Sequence, residues 1–478
     1  MAAADGPVPE LQSRADACAE RLCSADRVLL ASHIDADGLT SAAVAATALE
    51  RASIPFEAVF EKQLDAESIA SIAAREYETV LFTDFGSGQL DVIAEHERDG
   101  AFVPVIADHH RPAEADTDLH LNPLLEGIDG ASELSGAGTT YVLARALAAC
   151  SDADERHDNR DLAALAVVGA VGDMQASDGE LHGANAGIVA EGVAAGALEE
   201  TTDLAIYGKQ TRPLPKLLEY ASDVRIPGIT NDERGVVSFL DGLDVECRAD
   251  GAWKQWVDLT DDEKQRLASA LVQHAVSRGV PAFKIDRLVG TSYVLAGETV
   301  GTELRDASEF STLLNATARY ERADVGLAVC LGDREEAFDR AKELLANHRR
   351  NLSEGIEWVE EHGVTREEHI QWFDAGGEIR ETIVGIIAGM SMGADGVARD
   401  VPIVAFARKG DEETKVSSRG TGPLVGRGLD LSAAMGEAAR AVGGDGGGHD
   451  IAAGATIPAG TEPEFVERAD RLVGEQLD

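Results

Sequence analysis

The sequence predicts an α/β protein: a parallel sheet flanked by helices in an N-terminal domain, a helical middle segment and linker helix, and a smaller α/β domain at the C-terminus. Three observations carry this. The first third alternates short aliphatic or β-branched runs with helix-length Ala-rich segments, which is βαβ rhythm. A long stretch of interleaved charged and apolar residues follows the middle of the chain, and strand-like runs return after it. With 478 residues, 44% of them apolar and 27% charged, the chain is long enough for about two to four domains and too apolar to stay disordered.

In chain order, residues 27–32 predict a strand, 39–52 a helix, 79–83 a strand, 90–97 a helix and 102–107 a strand. Such a sheet binds ligands at the carboxyl ends of its strands. Between 196 and 300 the pattern loosens around Pro213, Pro215, Pro227, Trp253 and Trp256, and an acidic cluster from Asp258 opens a helix, so the region reads as helical. Residues 335–361 predict one long linker helix. Beyond it, 381–387, 401–407 and 415–418 predict strands, 431–441 a helix, and a glycine-rich turn leads to a last strand over 451–457.

The net charge of −44, from 86 acidic and 42 basic residues, would ordinarily argue against a nucleic-acid partner. Here the acids are spread along the whole chain, only nine of the basic residues are lysine, and Ala, Gly and Val dominate the apolar set. That pattern fits a proteome adapted to molar salt, where a Debye length near ~3 Å screens general repulsion. Acidity therefore leaves the partner open. No apolar run approaches the roughly 20 residues of a membrane helix, and residues 1–7 lack the features of a signal peptide, so the expected place is the cytoplasm, with no membrane contact. Cys18, Cys23, Cys150, Cys247 and Cys330 are scattered without a CxxC pair and read as reduced thiols, not zinc ligands.

Four motifs carry chemistry. Ser32-His33-Ile34-Asp35-Ala36-Asp37-Gly38 ends an apolar run; in extended chain its His33, Asp35 and Asp37 share one face. A second run ends in Thr83-Asp84-Phe85-Gly86. A third runs into Asp108-His109-His110, offering imidazoles beside a carboxylate that can orient them. The apolar segment 166–172 delivers Asp173, either at a strand end or at the polar terminus of a buried helix. Oxygen and imidazole ligands of this kind suit two manganese or magnesium ions, a pair that hydrolyses phosphoesters. No GxSxG elbow, Walker loop or HExxH motif competes. Near the other end, Gly446-Gly447-Gly448-His449 could admit a phosphate to backbone N–H groups or be a flexible connection, and Arg419 could hold a phosphate or form a surface ion pair.

With these residues in view, the sequence resembles the DHH phosphoesterase family, and within it the RecJ-like single-strand nucleases of archaea. His33 to Gly38, Asp84, Asp108-His109-His110 and Asp173 match the four family motifs in order, and Gly446 to His449 matches the DHH-associated domain. Asn315-Ala316-Thr317-Ala318-Arg319 is similar to the Asn-Ala-x-x-Arg segment of RecJ-type members, with Ala318 where glycine is usual. The resemblance implies a DHH catalytic domain over 1–195, a partly helical middle segment over 196–334, a linker helix over 335–370 and a DHH-associated substrate-binding domain over 371–478. It further implies His33 and Asp35 on one metal, Asp37, His109 and Asp173 on the other, Asp84 bridging, His110 on the scissile phosphate and Asp108 orienting the imidazoles. Asn315, Arg319, Arg419, Gly446, Gly447, Gly448 and His449 would grip the substrate.

The leading expectation is thus a manganese-dependent exonuclease on single-stranded DNA or RNA, serving repair or replication. A phosphodiesterase of short oligonucleotides or dinucleotides is the second reading; such relatives are shorter than this chain. A replication scaffold bound to the GINS complex is the third, opposed by the cost of keeping mutually repelling carboxylates without a metal. Inorganic pyrophosphatase activity is the weakest rival.

Overall fold

The computed structural model describes residues 6–150, 157–177, 179–221, 224–394 and 396–477. It divides into two units, Met1–Lys342 and Glu343–Asp478.

The first unit opens with α1 (Gln12–Cys23), β1 (Val28–His33), α2 (Ala36–Arg51), β2 (Phe56–Glu61), α3 (Ala66–Ala73), β3 (Thr79–Thr83), α4 (Leu90–Arg98), β4 (Val103–Ala107) and the short β5 (His120–Leu121). These strands form a five-stranded sheet in the order β2-β1-β3-β4-β5, every pair parallel. β1 and β3 are buried almost throughout because helices cover both faces of such a sheet, so no solvent face calls for alternation. Leu29, Ala31, Val80, Phe82 and Ile106 pack with Ile69, Ile72, Leu90 and Ile93 of α3 and α4. The edge strand β2, Phe-Glu-Ala-Val-Phe-Glu, is only half-buried and escaped the sequence reading. Three further helices, α5 (Gly136–Leu147), α6 (Ala163–Gly172) and α7 (Gly183–Ala194), complete this part.

One expectation about the cysteines is corrected. Cys23, at the end of α1, is bonded to Cys150 just beyond α5, with their Cα atoms 6.1 Å apart. The helices pack side by side, which a separation of 127 residues hides from any local spacing rule. Cys18, Cys247 and Cys330 are free and buried.

The middle of the chain holds β6 (Leu198–Leu204), α8 (Leu214–Glu219), α9 (Glu233–Asp241), β7 (Arg248–Ala249), β8 (Ala252–Trp253), α10 (Asp261–Ser277), α11 (Ala282–Ile285) and β9 (Val289–Leu295). Its core gathers Leu214, Leu217, Val236, Leu240, Trp256, Leu267 and Leu271. The acidic cluster does open a helix: Thr260 and Glu263 form a reciprocal capping box at the start of α10. The helical expectation is incomplete, however, because β6 and β9 pair antiparallel from Leu198↔Leu295 to Leu204↔Val289. Four of the seven β6 residues are exposed and polar, so no apolar alternation announced it.

α12 (Ala307–Arg319), capped by Asp306, and α13 (Ala323–Cys330) follow. Glu309 of α12 is fully buried and accepts from the Gln210 backbone N–H at 2.7 Å and the Thr211 hydroxyl at 2.6 Å. Burial pushes its carboxyl up from 4.5 to about 7. The folded state therefore holds a proton that the unfolded chain has lost, so stability falls as pH rises from about 4.5 through about 7, by about 3 kcal/mol. Glu309→Gln should remove that component, as read from urea midpoints across pH.

α14 (Glu336–His362) is the long helix read from the sequence, and the division between units falls within it. The second unit adds β10 (Thr365–Arg366), β11 (Gln371–Asp374), α15 (Val384–Ser391), β12 (Ile403–Lys409), β13 (Glu413–Arg419), α16 (Gly422–Val425), α17 (Leu431–Ala441), β14 (Asp445–Gly448), β15 (Ala452–Pro458) and α18 (Glu462–Leu477). Its six strands run in the order β10-β11-β12-β13-β15-β14. Two expectations change here. The strand expected over 381–387 gives way to α15, whose Val384, Ile387 and Ala388 fall on one helical face of the core. The glycine-rich turn is itself largely strand: β14 lies so close to β15 that a Cβ at Gly446 would stand 2.7 Å from the Ala455 Cβ, which only glycine avoids. Among the described residues, no helix is long and apolar enough to cross a membrane.

Candidate metal centre

The site forms where β1, β3 and β4 end. β1 delivers His33, and the chain then turns at once into α2, so Asp35 is the helix cap and Asp37 lies in the first turn. This corrects the extended geometry expected for the motif. Asp35 accepts from the Gly38 N–H at 3.0 Å, while its other oxygen faces His33 Nδ1 at 3.2 Å. Asp37 is 2% exposed and accepts from the Gly136 and Ala137 N–H groups, at 2.7 and 2.9 Å, at the start of α5. A helix N-terminus favours that carboxylate.

Asp84 follows β3 with φ +60°, a left-handed conformation that aspartate and asparagine tolerate better than most residues. Its Oδ2 lies 3.5 Å from His33 Nδ1 and its Oδ1 3.3 Å from His109 Nε2. A Cβ on Gly136 would collide with this carboxylate, so α5 must begin on a glycine. His109 donates from Nδ1 to the Gly130 carbonyl at 2.6 Å, which turns Nε2 inward, toward Asp84 and, at 3.7 Å, toward Asp37. Nε2 is buried and has no hydrogen-bond partner. Asp173 ends α6, a buried helix rather than a strand, and its Oδ2 accepts from Gln175 Nε2 at 2.9 Å.

Ligand atoms of His33, Asp35 and Asp84 lie within 4.8 Å of one another, as do those of Asp37, His109 and Asp173. Asp108 and His110 also fall within such a group with Asp84 and His109, but both Asp108 oxygens are engaged. Oδ1 takes the His109 N–H, the His110 N–H and His110 Nδ1; Oδ2 takes the Ser87 N–H. Asp108 is thus an orienting group.

The electrostatics report a want of positive charge. Burial pushes the Asp37 carboxyl well above the usual range, and the charges of Asp84 and Asp173 push it further. Burial would lower His33 and His109, yet the carboxylates of Asp35 and Asp84 beside the one, and of Asp84 and Asp37 beside the other, outweigh it and raise both imidazoles to about 11. Burial works against Asp84 as well, but the same two imidazoles hold it below the usual range. For Asp108 too, burial is outweighed, here by the bond from His110, which brings the carboxyl down to about 2 and raises His110 in turn. Four carboxylates, two imidazoles and an inward-facing orphan nitrogen fit two divalent cations, which would replace the trapped protons.

Several supporting residues left no sign in the sequence. Gln175 donates to the Gly130 carbonyl as well as to Asp173, and is itself held by Asn185 Nδ2 at 2.7 Å. Only the Ser135-Gly136-Ala137-Gly138 run, a capped helix start of small residues, could have flagged the Asp37 cradle. Asn315 sits beside the centre, its Oδ1 accepting from the Ala36 N–H at 3.1 Å. Arg319 lies one turn further along α12 and is exposed. In the second unit, Arg419 pairs across from Ala452, and the turn from Gly448 through His449 closes on the same residue, so Arg419, Gly446 to Gly448 and His449 share one region of that sheet.

Residues 27–170 match the DHH family N-terminal domain, 206–289 the DHH-CID domain and 371–475 the DHHA1 domain. An uncharacterized protein of Methanocaldococcus jannaschii is 30% identical over 454 residues, 93% of each chain. The chain belongs to the DHH family. It is accordingly a metal-dependent DHH-family phosphoesterase carrying a DHHA1 domain. Among solved structures, RecJ from Thermus thermophilus in complex with Mn2+ matches with a TM-score of 0.62 at 17% identity, over 99% of this chain and 56% of that one. This DHH protein thus spans little more than half of that RecJ. Exonuclease RecJ bound to manganese matches at 0.61 and 18%, over 99% and 96% of the two chains. CDC45 from Entamoeba histolytica matches at 0.66 and 11%, over 97% and 99%. At these identities the likeness is one of fold.

Proposed function

We propose that this chain is a RecJ-like exonuclease that shortens single-stranded DNA or RNA by two-metal hydrolysis. The observation that carries the reading is the position of Asp84, whose two oxygens face the two ligand groups from opposite sides. In this reading His33 and Asp35 would hold one ion, Asp37, His109 and Asp173 would hold the other, and Asp84 would serve both. Bound manganese or magnesium supplies Lewis-acid stabilisation of the charge that develops at phosphorus and eases deprotonation of water.

The protein's own groups do the rest. Gly130 and Gln175 fix the orientation of His109 and Asp173. His110, half-exposed and with its charged form favoured by the hydrogen bond to Asp108, donates to the scissile phosphate. In the first unit Asn315 and Arg319 would hold flanking phosphates, which would favour a chain over an isolated dinucleotide; in the second unit, taken by itself, Arg419, the Gly446 to Gly448 backbone and His449 are the candidate phosphate contacts. The DHHA1 domain and the fold shared with an exonuclease over 96% of that protein's length support this substrate.

The test is digestion of 5′- and 3′-labelled single strands of about 20 nucleotides, DNA and RNA, with manganese in molar salt, beside a dinucleotide. Stepwise shortening is expected, strongest at molar salt. Cleavage of the dinucleotide alone would replace the reading by a small-substrate phosphodiesterase. No cleavage of any substrate would leave a scaffold subunit, with GINS as the partner to test.

A further inference from the structure

We infer that Ser87, His120 and Asn122 are positioning residues of the site, forming a buried brace that sets Asp108 and, through it, the His110 imidazole. The inference rests on the reading of His110 as the phosphate contact.

The brace spans three neighbouring strand ends. Ser87 lies three residues beyond Asp84 on the loop after β3, Asp108 to His110 follow β4, and His120 and Asn122 belong to β5 and its end. Ser87, Asp108 and Asn122 are fully buried and His120 is 4% exposed. Ser87 Oγ stands 2.9 Å from both His120 Nε2 and Asn122 Nδ2.

The polarity of these bonds follows from the partners. Asn122 Oδ1 accepts from the Leu124 N–H, so its nitrogen is the atom facing Ser87, and that nitrogen also donates to the His110 carbonyl at 2.9 Å. Ser87 Oγ is therefore an acceptor from Asn122, and it bonds His120 Nε2 in the direction that the imidazole tautomer sets. Burial lowers the affinity of His120 for a second proton. With the hydroxyl fixed at both ends, the Ser87 backbone N–H is aimed at Asp108 Oδ2 at 2.9 Å, leaving Oδ1 to hold the His110 ring. The ring is half-exposed, with the His109 ring 4.3 Å away on one side, and its hydrogen bond to Asp108 sets the direction in which it donates. Asn122 ties down the backbone of His110 and the Ser87 brace ties down its side chain, which is how a mobile donor is kept at one angle to a phosphate.

Manganese-dependent hydrolysis of bis(p-nitrophenyl) phosphate by the full chain tests this, with kcat and KM separated. His120→Leu should lower kcat about tenfold with KM nearly unchanged. His120→Gln, whose amide can still meet the Ser87 hydroxyl, should recover most of the loss. In a His110→Ala background, His120→Leu should have no further effect, because the ring it serves is gone. Should His120→Leu not fold, Ser87→Ala removes the hydroxyl alone and gives the same comparison. Equal losses with and without His110, or an unchanged kcat alongside a lowered melting temperature, would make the brace a structural feature and overturn the inference. An unchanged kcat in His110→Ala alone would overturn the reading of His110, and the inference with it.

Discussion

Asp84→Asn should lower manganese-dependent phosphodiester hydrolysis by about a thousandfold while leaving the protein folded. The asymmetry between the two effects comes from the position of the residue. Asparagine tolerates the φ of +60° and fills the same space against Gly136, so neither backbone nor packing changes. What disappears is the one charge that both ligand groups face, through His33 on one side and His109 on the other. Melting temperature in metal-free buffer, measured beside the hydrolysis rate, separates the two. A variant that melts like the parent and retains its rate would remove Asp84 from the centre.

Manganese should raise the melting temperature of the metal-free protein by several degrees, reversibly with a chelator. At about 100 times its dissociation constant an ion adds about 2.7 kcal/mol for each site it fills. The shift should grow with pH: the Asp37 carboxyl, held protonated well above its usual range by burial, must lose its proton before a cation can bind. Below that range the proton competes and the shift shrinks. His109→Ala should abolish most of it, since Nε2 is the ligand atom with no other partner. This readout is independent of the substrate, so it tests the centre even if the nuclease reading fails.

The sequence by itself determined the strands that build the site and most of the residues in it. Thr79–Thr83 and Val103–Ala107 were legible as short apolar and β-branched runs, and Asp84 and Asp108 gained meaning only beside the His33 to Gly38 motif and the adjacent His109 and His110, since a carboxylate ending a strand is commonplace by itself. Likewise the long α14 announced itself by its period.

Only the tertiary structure decided what is non-local. The grouping of His33 with Asp84, and of Asp37 with Asp173, depends on which strands are neighbours and on α6 packing against α2, and no window of sequence contains both members. The same holds for the Cys23–Cys150 bond and for β6 and β9, whose polar faces find their partner about ninety residues away, a distance at which local periodicity carries no information. The short-range misreadings have a different origin. At Asp35 to Asp37 the chain enters a helix instead of continuing the strand because Asp35 caps it and Asp37 meets the N-terminus of α5, and in α15 an apolar run that suits strand or helix was decided by packing on the β12–β13 sheet.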